Sequence, residues 1–220
     1  MKKIAVIGAG TMGTGIAHIM AQYGLKVCII DLNEKIIAES KRTISINTDR
    51  QIRKGVINEK QKKIILSNIV FTKEFNESFK NVELVVEAIP ENFELKKKII
   101  KDLDLICKAD VIISSNTSSL SISSLADKTH YPDRIIGMHF MNPVPVMPLV
   151  EIVVGSSTSK KTVDSIKALT KKINKNPLVV KDSPGFVSNR ILLPMINEAI
   201  ETLSQGVADV YSIDQIMKLG

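Results

Sequence analysis

With 220 residues, 44% apolar and 24% charged, the chain has an ordinary globular make-up and room for one large α/β domain plus part of another. No run approaches the ~18 consecutive apolar residues of a membrane helix; Cys28 and Cys107, far apart, fit buried thiols in a reducing, cytoplasmic compartment rather than a disulfide framework or a metal site. The net charge of +7 comes with 4% aromatic residues and no tryptophan, so the basic–aromatic pattern of a nucleic-acid surface is missing, and the lysines and arginines of 41–63 and 96–98 read as solvated helix faces, with a polyanionic small substrate as the sharper alternative.

In chain order, the first fifteen residues carry the most information. The apolar strand Lys3–Ile7 runs straight into Gly8-Ala9-Gly10-Thr11-Met12-Gly13, and a helix-forming stretch from Ile16 to Tyr23 follows. Gly8 permits the tight strand-to-helix turn, Gly10 lets backbone approach a pyrophosphate, and Gly13 lets the helix pack close on the strand. A phosphate would rest on the N–H groups at the helix N-terminus, beside Thr11 and Met12. A second strand, Val27–Ile30, ends in Asp31, where a carboxylate would hold a ribose diol. Leu32 and Asn33 offer no positive charge for a 2′-phosphate, which favours NAD over NADP. The alternative is a glycine-rich turn that binds no dinucleotide.

Further strands are expected at Ile69–Phe71, Leu84–Glu87, Val111–Ser114, Arg134–His139, Val150–Val154 and Leu178–Lys181, with helices over Glu34–Lys54, Glu59–Leu66, Phe93–Cys107 and Lys160–Ile173. Strand–helix alternation with short loops marks a Rossmann-type α/β fold, a doubly wound and mostly parallel sheet. Residues 34–66 are long for one crossover and are broken by Gly55-Val56-Ile57-Asn58, with Asn58 a plausible N-cap. They read as a helix-turn-helix excursion off the sheet. At Asp182-Ser183-Pro184-Gly185 the pattern changes: Leu192, Met195, Ile196, Ala199, Ile200 and Leu203 recur at helical spacing, Pro194 is expected to kink that helix near Asn189, Gly206 ends it, and Ser212 caps another short helix. The division expected is 1–184, a dinucleotide-binding domain, and 185–220, the beginning of an all-α domain.

Three features then fall beyond strand ends, where open α/β sheets place their ligands. The first is the small polar run from Ser114 to Ser121, which a plain serine-rich loop also explains. His139 closes a strand ahead of the proline loop Asn142-Pro143-Val144-Pro145, and Glu151 lies at or within the next strand between Val150 and Ile152. A carboxylate among apolar neighbours needs a partner. Placed side by side, Glu151 would fix the tautomer of His139 and stabilise its imidazolium. Beside a dinucleotide, with no metal-ligand spacing in the chain, that dyad implies hydride transfer with His139 as proton acceptor.

The stretches Gly8–Gly13, Val85-Val86-Glu87-Ala88-Ile89-Pro90-Glu91, Ser115–Leu120, His139–Met147 and Pro184-Gly185-Phe186-Val187-Ser188-Asn189-Arg190 together resemble the L-3-hydroxyacyl-CoA dehydrogenase family, and its bacterial short-chain members in particular. The resemblance implies reversible NAD-dependent oxidation of (S)-3-hydroxybutyryl-CoA to acetoacetyl-CoA. It implies His139 as general base, Glu151 as its partner, and Ser118 and Asn189 as hydrogen-bonding partners of the substrate oxygens. Gly8, Gly10, Thr11, Met12, Gly13, Asp31, Glu91, Lys96, Asn116 and Asn142 would line the NAD site, with Ser118 touching both ligands and Lys54 meeting a CoA phosphate. A homodimer acting on an acyl-CoA is implied, with no nucleic-acid or membrane partner. Pro148 departs from the family, which usually has a basic residue before Leu-Val-Glu. Family members also continue for roughly sixty more helical residues, so the 220-residue form is expected to bind NAD, to be weakly active or inactive, and to self-associate through 185–220. A dinucleotide-binding protein without turnover, crystallin-like or shortened, and a related dehydrogenase acting on a non-CoA acid stay open.

Overall fold

Alternation along the first strand decides how the sheet is covered. In a computed structural model that describes all residues except 76–78 and 80, β1 (Lys3–Ile7) sends Ile4 and Val6 to one face and Ala5 and Ile7 to the other, and both faces are buried. The strands β2 (Lys26–Ile30), β3 (Ile69–Thr72), β4 (Leu84–Glu87), β5 (Ile112–Ser115), β6 (Ile135–Phe140), β7 (Leu149–Val154) and β8 (Asn176–Lys181) join it in one sheet. Its order is β3-β2-β1-β4-β5-β6-β7-β8. Every pairing is parallel except β6 with β7. The chain order reverses between β1 and β4, so the crevice beyond the carboxyl ends of these two strands is the topological switch point of the expected doubly wound sheet.

One face is covered by α1 (Thr11–Gln22), α2 (Glu34–Arg53), α3 (Glu59–Ser67) and α6 (Lys160–Lys172), the other by α4 (Phe93–Ile106) and α5 (Ile122–Ala126). The excursion forms as expected, and Asn58 caps α3 in a reciprocal box with Gln61. It leaves the sheet but not the core: Ile37, Ile44, Ile57 and Ile65 belong to the same buried cluster as α1 and β1. The helix α5 is too short for its period to be read in advance.

After β8 the chain turns at Gly185 and Phe186, both with positive φ, into α7 (Ser188–Ser204) and α8 (Val210–Leu219). No residue of either helix is buried. Pro194 lies inside α7, and because that helix begins at Ser188, the kink expected near Asn189 would fall in its first turn. Asp209, not Ser212, caps α8: the Asp209 carboxylate accepts the backbone N–H of Ser212. Cys107 is buried as expected, whereas Cys28 is half-buried, and the two are not joined in a disulfide. Among the described residues no helix is long and apolar enough to cross a membrane.

Candidate active site

The glycine-rich turn is tight for reasons that differ at each position. Gly8 has φ +97°, and a Cβ there would meet the Ala88 carbonyl oxygen at 2.6 Å. A Cβ on Gly13 would fall 1.8 Å from the Gly8 oxygen, so helix and turn close on each other only as glycines. Gly10 is N-cap of α1 and meets nothing within 4 Å, leaving its outer side open for a ligand. The first turn of α1 has neither a side-chain cap nor an acidic residue, so its N–H groups and dipole suit a phosphate. Asp31 stands at the end of β2, accepting the N–H of Ala9 (2.9 Å) and of Asn33 (2.9 Å), with lone pairs left for hydroxyl donors. These residues fit a dinucleotide. Gly15, which sequence reasoning left without a role, is required too: its Cβ would lie 2.8 Å from Val144, where α1 packs under the proline loop.

Two cavities flank this turn and share Asn142. One, of about 450 Å³, is lined by Met12, Glu91, Lys96, Asn116, Ser118, His139, Asn142 and Asn189 among others. The other, about 470 Å³, runs between Gly10, the loop 142–145 and α2 from Lys35 to Asn47. Lys54 does not line it; it is exposed at the C-cap of α2, seven residues beyond Asn47 and about 10 Å farther along the helix axis.

His139 and Glu151 face each other across the antiparallel pairing of β6 and β7. Nδ1 of His139 lies 2.7 Å from Glu151 Oε2, and both residues are buried. The Phe186 ring meets the imidazole edge-on at 5.6 Å between centroids. Glu151 also accepts the N–H groups of Val187 (3.1 Å) and Ser188 (3.0 Å) on Oε1 and the Ser188 hydroxyl (2.8 Å) on Oε2. Burial pushes this carboxyl up, but His139, the Ser188 hydroxyl and the two backbone N–H groups outweigh it and hold it below the usual range. An anionic Glu151 makes Nδ1 the protonated nitrogen and leaves Nε2 as the acceptor.

The serine-rich loop is tied to the same cavity. Glu91 accepts the Ser118 N–H (3.0 Å) and the hydroxyls of Thr117 and Ser119, while Asn189 donates its side-chain amide to the Ser118 carbonyl (3.1 Å). Burial raises Glu91, and Thr117, Lys96 and Ser118 more than offset it, leaving the carboxyl lowered. Asn116 accepts the Phe140 N–H (3.0 Å), fixing the carbonyl of its amide inward. The sequence offers two readings of Lys96, a solvated face and a cofactor contact. The first reading fails for it: the side chain is 1% exposed, donating to Glu87 Oε1 (2.6 Å) and the Ile89 carbonyl (3.0 Å) while still lining the cavity. Glu87, 0% exposed, also accepts the Ser115 hydroxyl. Sequence reasoning missed Glu87, Ser115 and Ser188. A carboxylate ending an otherwise apolar strand was the available signal for Glu87. At the departure from the family, Pro148, the backbone carbonyl accepts the Asn176 N–H (2.7 Å).

Comparison with known proteins shows the family. Residues 3–183 match the model of the 3-hydroxyacyl-CoA dehydrogenase NAD-binding domain, and residues 185–220 match the C-terminal domain of 3-hydroxyacyl-CoA dehydrogenase. The chain is 46% identical to 3-hydroxybutyryl-CoA dehydrogenase of Clostridioides difficile, over 99% of this chain and 77% of that protein. It is 41% identical to the human mitochondrial hydroxyacyl-coenzyme A dehydrogenase, over 100% of this chain and 72% of that one. Among solved structures it superposes on (S)-3-hydroxybutyryl-CoA dehydrogenase of Ralstonia eutropha with a TM-score of 0.96 at 45% identity, covering 100% of this chain and 77% of that one.

Proposed function

The chain belongs to the 3-hydroxyacyl-CoA dehydrogenase family of NAD-dependent oxidoreductases, and from that premise we propose that its cleft interconverts (S)-3-hydroxybutyryl-CoA and acetoacetyl-CoA. The observation that carries this reading is the 2.7 Å contact between His139 and Glu151 on the wall of a cavity shared with Asn116, Ser118, Asn142 and Asn189. His139 takes the substrate's hydroxyl proton at Nε2 during oxidation and returns it during reduction. Glu151 holds the tautomer and stabilises the imidazolium. The Ser118 hydroxyl and the Asn189 amide orient the substrate oxygens near the reacting carbon. NAD, when bound, supplies the hydride acceptor; Gly8, Gly10, Thr11, Met12, Gly13 and Asp31 receive its phosphates and ribose, and Glu91, Lys96, Asn116 and Asn142 wall its other end. Comparing NADH oxidation with acetoacetyl-CoA and with free acetoacetate tests the assignment, and equal rates would overturn it.

Asp31 accepts hydrogen bonds from a ribose diol and repels a 2′-phosphate, so kcat/KM with NADH should exceed that with NADPH. Equal use of NADPH would remove Asp31 from this role. Residues 1–184 act as the NAD-binding domain and 185–220 as part of the helical domain; the positive-φ turn at Gly185 and the absence of buried residues in α7 and α8 support that boundary. The exposed apolar side chains of Ile191, Met195, Ile200 and Ile216 support a homodimer, and two cysteines outside any disulfide support a cytoplasmic setting, with no nucleic acid or membrane as partner.

The larger cavity along α2 takes the CoA arm, and Lys54, about 10 Å beyond Asn47 along the helix axis, meets a phosphate outside that cavity. Lys54→Glu should therefore raise KM for acetoacetyl-CoA and leave kcat nearly unchanged, because the contact is remote from the reacting carbon. The effect should fade as salt rises, since exposed charges are screened over roughly 8–10 Å at physiological ionic strength. An unchanged KM at low salt would return Lys54 to the solvated surface.

A further inference from the structure

Glu151 Oε2 receives two donors at nearly the same distance: His139 Nδ1 at 2.7 Å and the Ser188 hydroxyl at 2.8 Å. With the N–H groups of Val187 and Ser188 on Oε1, the carboxylate has four donors, about as many as its lone pairs accommodate. Negative charge on one oxygen is thus divided between the imidazole and a hydroxyl on the first residue of α7. We propose that Ser188 is a positioning residue of the dyad, sharing Glu151 Oε2 with His139 and so limiting how strongly the carboxylate stabilises the protonated imidazole. This rests on the reading of His139 as the proton-accepting group.

The physical basis is competition. Hydrogen bonds to a charged acceptor weaken one another when they share one oxygen, because each donor withdraws charge from it. Removing the Ser188 hydroxyl leaves Oε2 of Glu151 to His139, with the Val187 and Ser188 N–H groups still on Oε1, and makes the imidazolium harder to discharge. The other charged groups around the pair are already committed. Glu91 and Lys96, the other ionisable groups lining the cavity among the described residues, are bound to the serine-rich loop and to Glu87. On α7, Arg190 donates to the Ser183 hydroxyl at 3.1 Å, and on β8 the residue level with Glu151 is Leu178. Ser188 also belongs to the same first turn as Asn189, which bonds the Ser118 carbonyl. The strength of the base is thereby tied to the seating of α7.

The test follows the imidazole titration of His139 by NMR in the full chain, alongside the pH dependence of kcat/KM for 3-hydroxybutyryl-CoA oxidation. In Ser188→Ala the titration midpoint and the acid limb should both move to higher pH by about 0.5–1 unit, a several-fold change in proton affinity. Ser188→Thr, which keeps the hydroxyl, should restore the original profile. Ser188→Cys, a weaker donor, should fall between and stands in where the alanine variant does not fold. A midpoint unchanged in the alanine and cysteine variants, or a loss of kcat equal at all pH, would overturn the proposal. Normal turnover by His139→Gln would instead refute the role given to His139, while the NMR midpoint still decides whether Ser188 modulates that ring.

Discussion

His139→Gln is expected to lower turnover about 10²–10⁴-fold while NADH binding stays intact. Glutamine keeps the length and polarity of the side chain and retains an amide N–H for Glu151 Oε2. It cannot accept a proton at neutral pH, so the loss falls on the chemical step rather than on the fold. Glu151→Gln should act differently. It keeps the β7 backbone and a carbonyl oxygen for the Val187 and Ser188 N–H groups, but removes the anion that orders the tautomer. Fluorescence titration of NADH separates binding from turnover in both variants. Near-normal turnover by His139→Gln in a chain that is otherwise active would end the dyad mechanism.

Lys96→Met should produce the largest loss of stability, about 3–5 kcal/mol, the usual cost of leaving one partner of a buried ion pair alone. Domains of this kind are stable by only about 5–15 kcal/mol, so the variant would sit near unfolding at ordinary temperatures. The reason lies in Glu87, which is 0% exposed and cannot exchange the lysine for water. Its remaining donors, the Ser115 hydroxyl and the Ile89 N–H, are neutral. Adding Glu87→Gln to Lys96→Met should recover most of the loss, because the buried charge is then gone. Urea unfolding of the single and double variants measures both steps. A cost below about 1 kcal/mol for Lys96→Met would show that Glu87 is solvated after all.

The strands, the glycine turn and the long helices were legible because their signals are local. Apolar residues at a period of two or near 3.6, and a turn that admits only glycine, are constraints written into neighbouring positions. What failed was equally local in kind but too short or too ambiguous. Ile122–Ala126 shows barely more than one helical turn, and Asp209 and Ser212 are both good caps three residues apart, a spacing that periodicity does not resolve. At the site, the residue types were readable and their partners were not. Glu87 meets Lys96 nine residues later, on the helix that follows its strand, and Ser188 meets Glu151 across thirty-seven residues.

By itself the sequence determined that a dinucleotide turn would open the chain, that His139 would close one strand and that Glu151 would lie in the next. Only the tertiary structure decided that these two would touch. Their contact depends on β6 and β7 running antiparallel, alone among the sheet's pairings, in the register that sets His139 opposite Glu151. Because side chains alternate along a strand, a slip of one residue would turn Glu151 to the other face of the sheet and leave a buried carboxylate without its imidazole.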